Sequence, residues 1–171
     1  MPLFSTFNPD GYDMTVASDP KAPAPTGRPV LSRRDEYPLL RAIATRWMDN
    51  DVYGHVNNVV YYSFFDTVVN ATLIDNGLLD PISSAVIGLV VESGCKYAAS
   101  LQFPETIEAG LRVAKLGTSS VRYDIALFRQ GHAEAAAEGY FVHVYVDRFT
   151  RRPTALPPAL RAFLDTLLVP G

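Results

Sequence analysis

The stretch NVVYYSFFDTVVNATLID, from Asn58 to Asp75, decides the fold. Its apolar residues (Val59, Val60, Tyr61, Tyr62, Phe64, Phe65, Val68, Val69, Ala71, Leu73, Ile74) leave only a narrow polar stripe at Ser63, Asp66, Thr67 and Asn70. A helix with that pattern is covered on most sides. Asn57 or Asn58 can cap its first amides, and Gly77 suits a left-handed stop. At about 18 residues it would span about 27 Å. Its β-branched and aromatic side chains are weak helix formers, so burial must hold it. A strand over the first half competes with this reading; the length and the caps decide for a helix.

Working outward, four strand-like runs follow: Val86 to Tyr97, Thr106 to Leu116, Ser120 to Arg129 and Glu134 to Phe149. Val121, Tyr123, Ile125 and Leu127 alternate strictly, and YFVHVYV repeats the alternation. Before the helix, Tyr37 to Trp47 reads as a first strand with Leu39, Ala42 or Ile43, and Trp47 among its apolar positions. The expected plan is α+β: a curved antiparallel sheet of about five strands around one long central helix. A short helix closes the chain, with Leu160, Phe163, Leu164, Leu167 and Leu168 on one face. The Pro-rich start, SDPKAPAPTGRP included, has no apolar period and reads as an extended arm over residues 1–36, in which Phe4, Phe7 and Tyr12 could be buried. Residues 37–171 form the single domain, since 171 residues are too few for two comfortable ones.

Composition narrows the function. A net charge of −3 gives no reason to expect nucleic acid. No apolar run reaches the roughly 20 residues that span a bilayer, so no membrane is expected. Cys95 is the only cysteine, which excludes an intrachain disulfide and a cysteine-based zinc site. The N-terminus lacks a basic segment followed by an apolar run, and a cytoplasmic location is the default expectation.

The segment carrying chemistry is Arg46-Trp-Met-Asp49-Asn-Asp51-Val-Tyr-Gly54-His55-Val-Asn57-Asn58. It lies between a strand and the N-terminus of a buried helix, so its carboxylates stand near free backbone amides and the positive end of a helix dipole. The same amides can attract a developing oxyanion. Asp49 reads as a turn cap or a partner of Arg46. Asp51 could be an Asx-turn or cap residue, or the reactive acid. His55 could orient Asp51, contact substrate or support the turn. Gly54 provides a tight turn or room for a ligand to approach. Asn57 and Asn58 read as caps and hydrogen-bond organisers.

The pattern Arg46-x-x-Asp49-x-Asp51-x-x-Gly54-His55-Val56-Asn57-Asn58, followed by Val59-x-Tyr61-x-x-Phe64-Phe65-Asp66, resembles the acyl-CoA thioesterases of the 4-hydroxybenzoyl-CoA thioesterase type. The resemblance runs from roughly Tyr37 to Phe149. It implies a hot-dog fold, a homodimer with sheets joined edge to edge, often paired again into a homotetramer, and an active site at the dimer interface. It makes Asp51 the catalytic carboxylate, as nucleophile or general base, with Gly54 and His55 beside it. It also places the carbonyl oxygen near a backbone N–H within Ser84 to Gly88. No cofactor or metal is implied; coenzyme A is part of the substrate.

Tyr61 and its aromatic neighbours would line an apolar pocket, with Asn57 and Asn58 at its mouth. Lys96 and Lys115 are candidates for the coenzyme A phosphates. Related enzymes carry a basic run at the hairpin between the third and fourth strands; here Thr118, Ser119 and Ser120 stand there and could bind phosphate through hydroxyls and amides. Two other functions compete: a non-catalytic acyl-CoA-binding hot-dog module, which needs no acid at Asp51, and a hot-dog hydratase or dehydratase, which needs a His and an acid for proton transfer at carbon. A metal hydrolase using Asp49, Asp51 and His55 crowds three ligands into one turn and makes a poor site.

Overall fold

The computed structural model describes residues 31–169; residues 1–30, most of the expected arm, lie outside the described residues. Helix α1 runs from Asn58 to Asp75. Asn57 caps it by accepting the Val59 N–H, and Gly77 takes φ +67° just past its end, so both termini stop where the side-chain chemistry predicts. Around it curve β1 (Leu39–Ala44), β2 (Val86–Tyr97), β3 (Thr106–Leu116), β4 (Ser120–Arg129) and β5 (Ala137–Asp147), and α2 (Pro158–Asp165) follows. All four strand pairings are antiparallel, in the order β1-β3-β4-β5-β2. This is the α+β, hot-dog arrangement that the resemblance implies.

Period-two alternation sends one face of the sheet onto the helix. Ile107, Leu111 and Val113 of β3, Val121, Tyr123, Ile125 and Leu127 of β4, and Phe141 and Tyr145 of β5 share one core with Phe64, Phe65, Val68, Val69 and Leu73 of α1. The opposite face of the sheet carries a second, smaller core of Tyr37, Ala126, Phe128 and Ala135. Here the residues just after the expected arm boundary, together with its last part, lie on the body: Arg34 forks onto Glu108 at 2.7 and 2.9 Å, and Arg112 reaches Glu36 at 3.2 Å.

Two strands are shorter than expected, each for a local polar reason. The first stops at Ala44 rather than Trp47, because the Asp49 carboxylate accepts the Arg46 N–H at 2.7 Å and folds Trp47–Asp49 into a 3-10 turn. Trp47, expected among the apolar positions of that strand, is 82% exposed and meets Phe103 edge-to-face. The last strand ends at Asp147 rather than Phe149, because Asp147 Oδ1 accepts the Phe149 and Thr150 amides at 3.1 and 2.7 Å and turns the chain. Leu160 and Leu164 of α2 and Leu167 just beyond it are buried, whereas Leu168 is exposed and bridges Val113 through its backbone.

The sheet has two edges, and they differ. β1 offers six residues. β2 offers twelve, with Leu89, Val90 and Val91 exposed and a bulge between Val90 and Glu92. A long, apolar edge strand that no described residue covers is a template for pairing with another strand.

Candidate active site

Asp51 sits in a reversal closed by its own backbone. Its N–H donates to the His55 carbonyl at 2.8 Å, and the Gly54 N–H donates to the Asp51 carbonyl at 3.1 Å. Gly54 has φ +80°, a conformation that side chains resist, so its part in the site is the turn itself. Asp51 Oδ1 accepts the Tyr53 N–H at 2.8 Å and the His55 N–H at 3.4 Å. Oδ2 accepts nothing among the described residues. The turn is anchored at its base: Asn50 Oδ1 accepts the Phe103 N–H at 3.0 Å, and the Val56 N–H donates to the Leu101 carbonyl at 2.8 Å.

The neighbouring acid does different work. Asp49 is 1% exposed and holds Arg46 through both the backbone N–H and the guanidinium, the latter at 3.1 Å. Of the two acids in this turn, Asp51 is the one that keeps a carboxylate oxygen free of hydrogen bonds among the described residues. His55 approaches Asp51 through its backbone, and its imidazole makes no hydrogen bond among the described residues. Asn57 caps α1, its Oδ1 3.2 Å from the Val59 nitrogen. The next amide, on Asn58, has no acceptor among the described residues and lies at the positive end of the helix.

Asp51, Tyr53, His55, Asn58, Tyr61 and Tyr97 line a cavity of about 520 Å³ that is completed by Ala98, Ala99 and Ser100. Tyr97 closes it from β2, donating its hydroxyl to the Asn58 carbonyl at 3.3 Å and meeting the Tyr61 ring edge-on at 4.9 Å. Burial raises the Tyr61 phenol above its ordinary value, so it stays a neutral hydrogen-bonding group. The cavity is open on one side, and around it Trp47, Met48, Val52 and Tyr53 are 76–94% exposed. Asp66 lies farther along α1, outside this lining, its carboxyl raised by burial.

Other sequence-selected residues lie elsewhere. Lys96 sits near the same end of β2 but lines a different depression with Tyr37, Arg112 and Arg122. Lys115, Thr118, Ser119 and Ser120 stand at the β3–β4 hairpin. β3 begins opposite Ala44, beside the site, and runs ten residue steps away, so the hairpin is roughly 30 Å from Asp51 in the same chain. Its carbonyls serve the fold: Thr118 accepts the Leu156 N–H and Ser119 the Tyr145 N–H. Ser84 to Gly88 lies at that far end too, because β2 starts there and reaches Asp51 only at Tyr97.

Sequence reading assigns no role to Tyr97 and takes His143 simply as a strand residue. The signal for both was period-two parity. His143 alternates with Phe141 and Tyr145 and therefore faces the helix, where it is 4% exposed and packs against Tyr123 at 5.2 Å. Burial pushes it down to about 4. The unfolded value lies near 6.5, so between those limits the unfolded chain binds the extra proton and stability falls as pH is lowered. The loss should total roughly 3 kcal/mol by pH 4. Urea denaturation from pH 7 to 4 measures it, and His143→Leu should flatten that part of the profile.

Comparison with known proteins agrees with this picture. Residues 45–164 match the thioesterase-like superfamily. The PA5185 protein from Pseudomonas aeruginosa is 55% identical over 81% of this chain and 97% of its own, with a TM-score of 0.80. The PA2801 protein from the same organism, provisionally assigned as a thioesterase, is 29% identical over 73% of this chain and 96% of its own, with a TM-score of 0.67. A 1,4-dihydroxy-2-naphthoyl-CoA thioesterase from Synechocystis shares the fold at 15% identity, with a TM-score of 0.68 over 74% of this chain and 94% of its own. No curated protein matches the sequence significantly. With more than half of its length matched, from just after β1 into α2, the chain belongs to the thioesterase-like superfamily.

Proposed function

We propose that the protein is an acyl-CoA thioesterase of the 4-hydroxybenzoyl-CoA thioesterase type, hydrolysing its substrate to free acid and coenzyme A with Asp51 as nucleophile or general base. One observation carries this reading: a carboxylate with one oxygen held by two backbone amides and the other without a partner among the described residues, on a cavity also lined by Asn58, the first residue of α1, whose amide has no acceptor among those residues. A thioester needs little more. Asp51 attacks the carbonyl carbon or takes a proton from the water that does so. The Asn58 N–H, at the positive end of α1, suits the oxygen that becomes negative. The leaving thiolate has an ordinary pKa near 8.5 and departs without a strong acid.

The reading includes a homodimer joined through β2. Antiparallel pairing about the exposed centre of that strand would set the Tyr97 end of one subunit beside the Val86 end of its partner. The partner subunit's β3–β4 hairpin then approaches the Asp51 cavity, where its hydroxyls, amides and Lys115 would meet the coenzyme A phosphates, and Ser84 to Gly88 approaches with it. Within one chain these groups are too far apart to share a substrate. Val91→Arg sets like charges across the edge and should give a monomer by sedimentation, with thiol release reduced at least about tenfold because each site loses a wall. A fully active monomer would count against a shared site.

The direct test is release of free thiol from short, medium, long and aromatic acyl-CoAs. Turnover of at least one is expected. Tight binding of acyl-CoA with no turnover would instead support the non-catalytic binding module.

A further inference from the structure

A second cavity, of about 200 Å³, lies between the C-terminal half of α1, the start of β2 and the start of α2. Its lining includes the aliphatic side chains Leu73, Leu79, Val86 and Leu160. Four polar side chains reach it, and three are already engaged. Asn70 donates to the Asp66 carbonyl at 3.0 Å, Tyr145 shares a 2.7 Å hydrogen bond with Tyr123, and Arg148 is spread over the carbonyls of Asp80, Pro81 and Ser84. The fourth is His143. It is 4% exposed, and its Nε2 is buried with no hydrogen-bond partner among the described residues. A buried polar atom left unmatched in a lined cavity costs stability unless a guest supplies the match.

Gly88 marks where the imidazole stands. A Cβ at that position would fall 2.9 Å from His143 Nδ1 and 3.3 Å from Tyr145 Cζ, so the absence of a side chain at Gly88 lets the ring keep its place. Val86, Ile87 and Gly88 belong to the end of β2 that antiparallel pairing brings beside the partner subunit's Tyr97, and hence beside its Asp51. Neighbouring strands lie about 4.8 Å apart, so in that dimer the two cavities would adjoin across the interface.

We propose that this cavity receives the distal end of the acyl group whose thioester lies at the partner subunit's Asp51, and that His143 Nε2 selects acyl groups of up to about six carbons bearing a hydroxyl or oxo group there. The inference rests on the thioesterase and dimer readings above and adds the substrate class. A cavity of about 150 Å³ already holds a benzene-sized guest, which sets the length. Neutral imidazole presents one donor and one acceptor nitrogen, and a hydroxyl can satisfy either at Nε2. Sites built to bond a substrate polar group discriminate strongly against the analogue lacking it.

The test compares butyryl- and hexanoyl-CoA with their ω-hydroxy counterparts, measuring kcat/KM for thiol release by the intact protein, His143→Leu and Gly88→Ala. Far-ultraviolet circular dichroism and melting temperature check folding. The intact protein should favour the hydroxylated member of a pair by about tenfold or more. His143→Leu should erase that preference by slowing the hydroxylated substrate while leaving the plain one within about threefold, and Gly88→Ala, by displacing the ring, should lower the preference too. Equal losses on both substrates, or no preference in the intact protein, would overturn the proposal. If no thioester is hydrolysed, calorimetric binding of the matching thioether analogues reads the same contrast. A preference lost in His143→Leu would then uphold the pocket and sink the hydrolase reading, whereas equal binding would sink the pocket.

Discussion

Asp51→Asn should lower thioester turnover by roughly 10²–10⁴-fold, the scale of a positioned acid or base, while acyl-CoA binding and the melting temperature stay nearly unchanged. Asparagine is the sharper of two variants. Its side-chain oxygen can still accept the Tyr53 and His55 amides that Asp51 Oδ1 holds at 2.8 and 3.4 Å, so the turn survives and only the charge is removed. Asp51→Ala removes both and should add a stability loss of about 1 kcal/mol for the lost acceptor. Thiol release and denaturant titration of the two variants separate chemistry from folding. If asparagine keeps full activity, the carboxylate is only a turn residue. His55→Ala should be milder than either, because the histidine meets Asp51 through its backbone, which alanine retains.

Phe65→Ala should cost about 3–5 kcal/mol of folding stability, a large part of the 5–15 kcal/mol that domains possess. Phe65 is fully buried on the helix face that meets the sheet, edge-on to Phe141 at 5.9 Å and to Tyr62 at 5.8 Å. β5 yields space for the ring at Gly139, where a Cβ would lie 2.6 Å from Phe65 Cζ and 2.7 Å from the Gly94 carbonyl oxygen. The converse change, Gly139→Ala, should therefore destabilise by about 1–3 kcal/mol through overpacking. Joining the two tests the contact itself. With Phe65 already removed, Gly139→Ala should cost less than it does alone, and a double-mutant cycle by urea denaturation reads the coupling. Strict additivity would mean that ring and strand do not meet as described.

Much of the fold is legible in the chain. Asn57, Gly77 and the apolar run between them fix α1, because caps and burial act within a few residues of sequence. The alternation of Val121, Tyr123, Ile125 and Leu127 fixes both β4 and the face that it buries. The Asp51 turn is legible for the same reason, its hydrogen bonds spanning no more than four residues. Misplaced strand ends at Trp47 and Phe149 come from equally local chemistry, Asp49 and Asp147 each claiming amides that the ladder would otherwise use.

Only the tertiary structure decides which distant residues meet. The outer core of Tyr37, Ala126, Phe128 and Ala135 leaves no periodic trace, since alternation marks Ala126 and Phe128 as facing away from the helix and cannot say what covers them. Tyr97 joins Asn58 and Tyr61 across 39 and 36 positions of sequence through the sheet order β5-β2 and the path of α1. That order also carries Lys115 to Ser120 to the far end of the sheet from Asp51, although the sequence groups them as one substrate site. Local pattern determines elements and turns because its forces act between near neighbours along the chain. Strand order and the exposed edge of β2 emerge only when those elements pack, and they determine which side chains share a cavity.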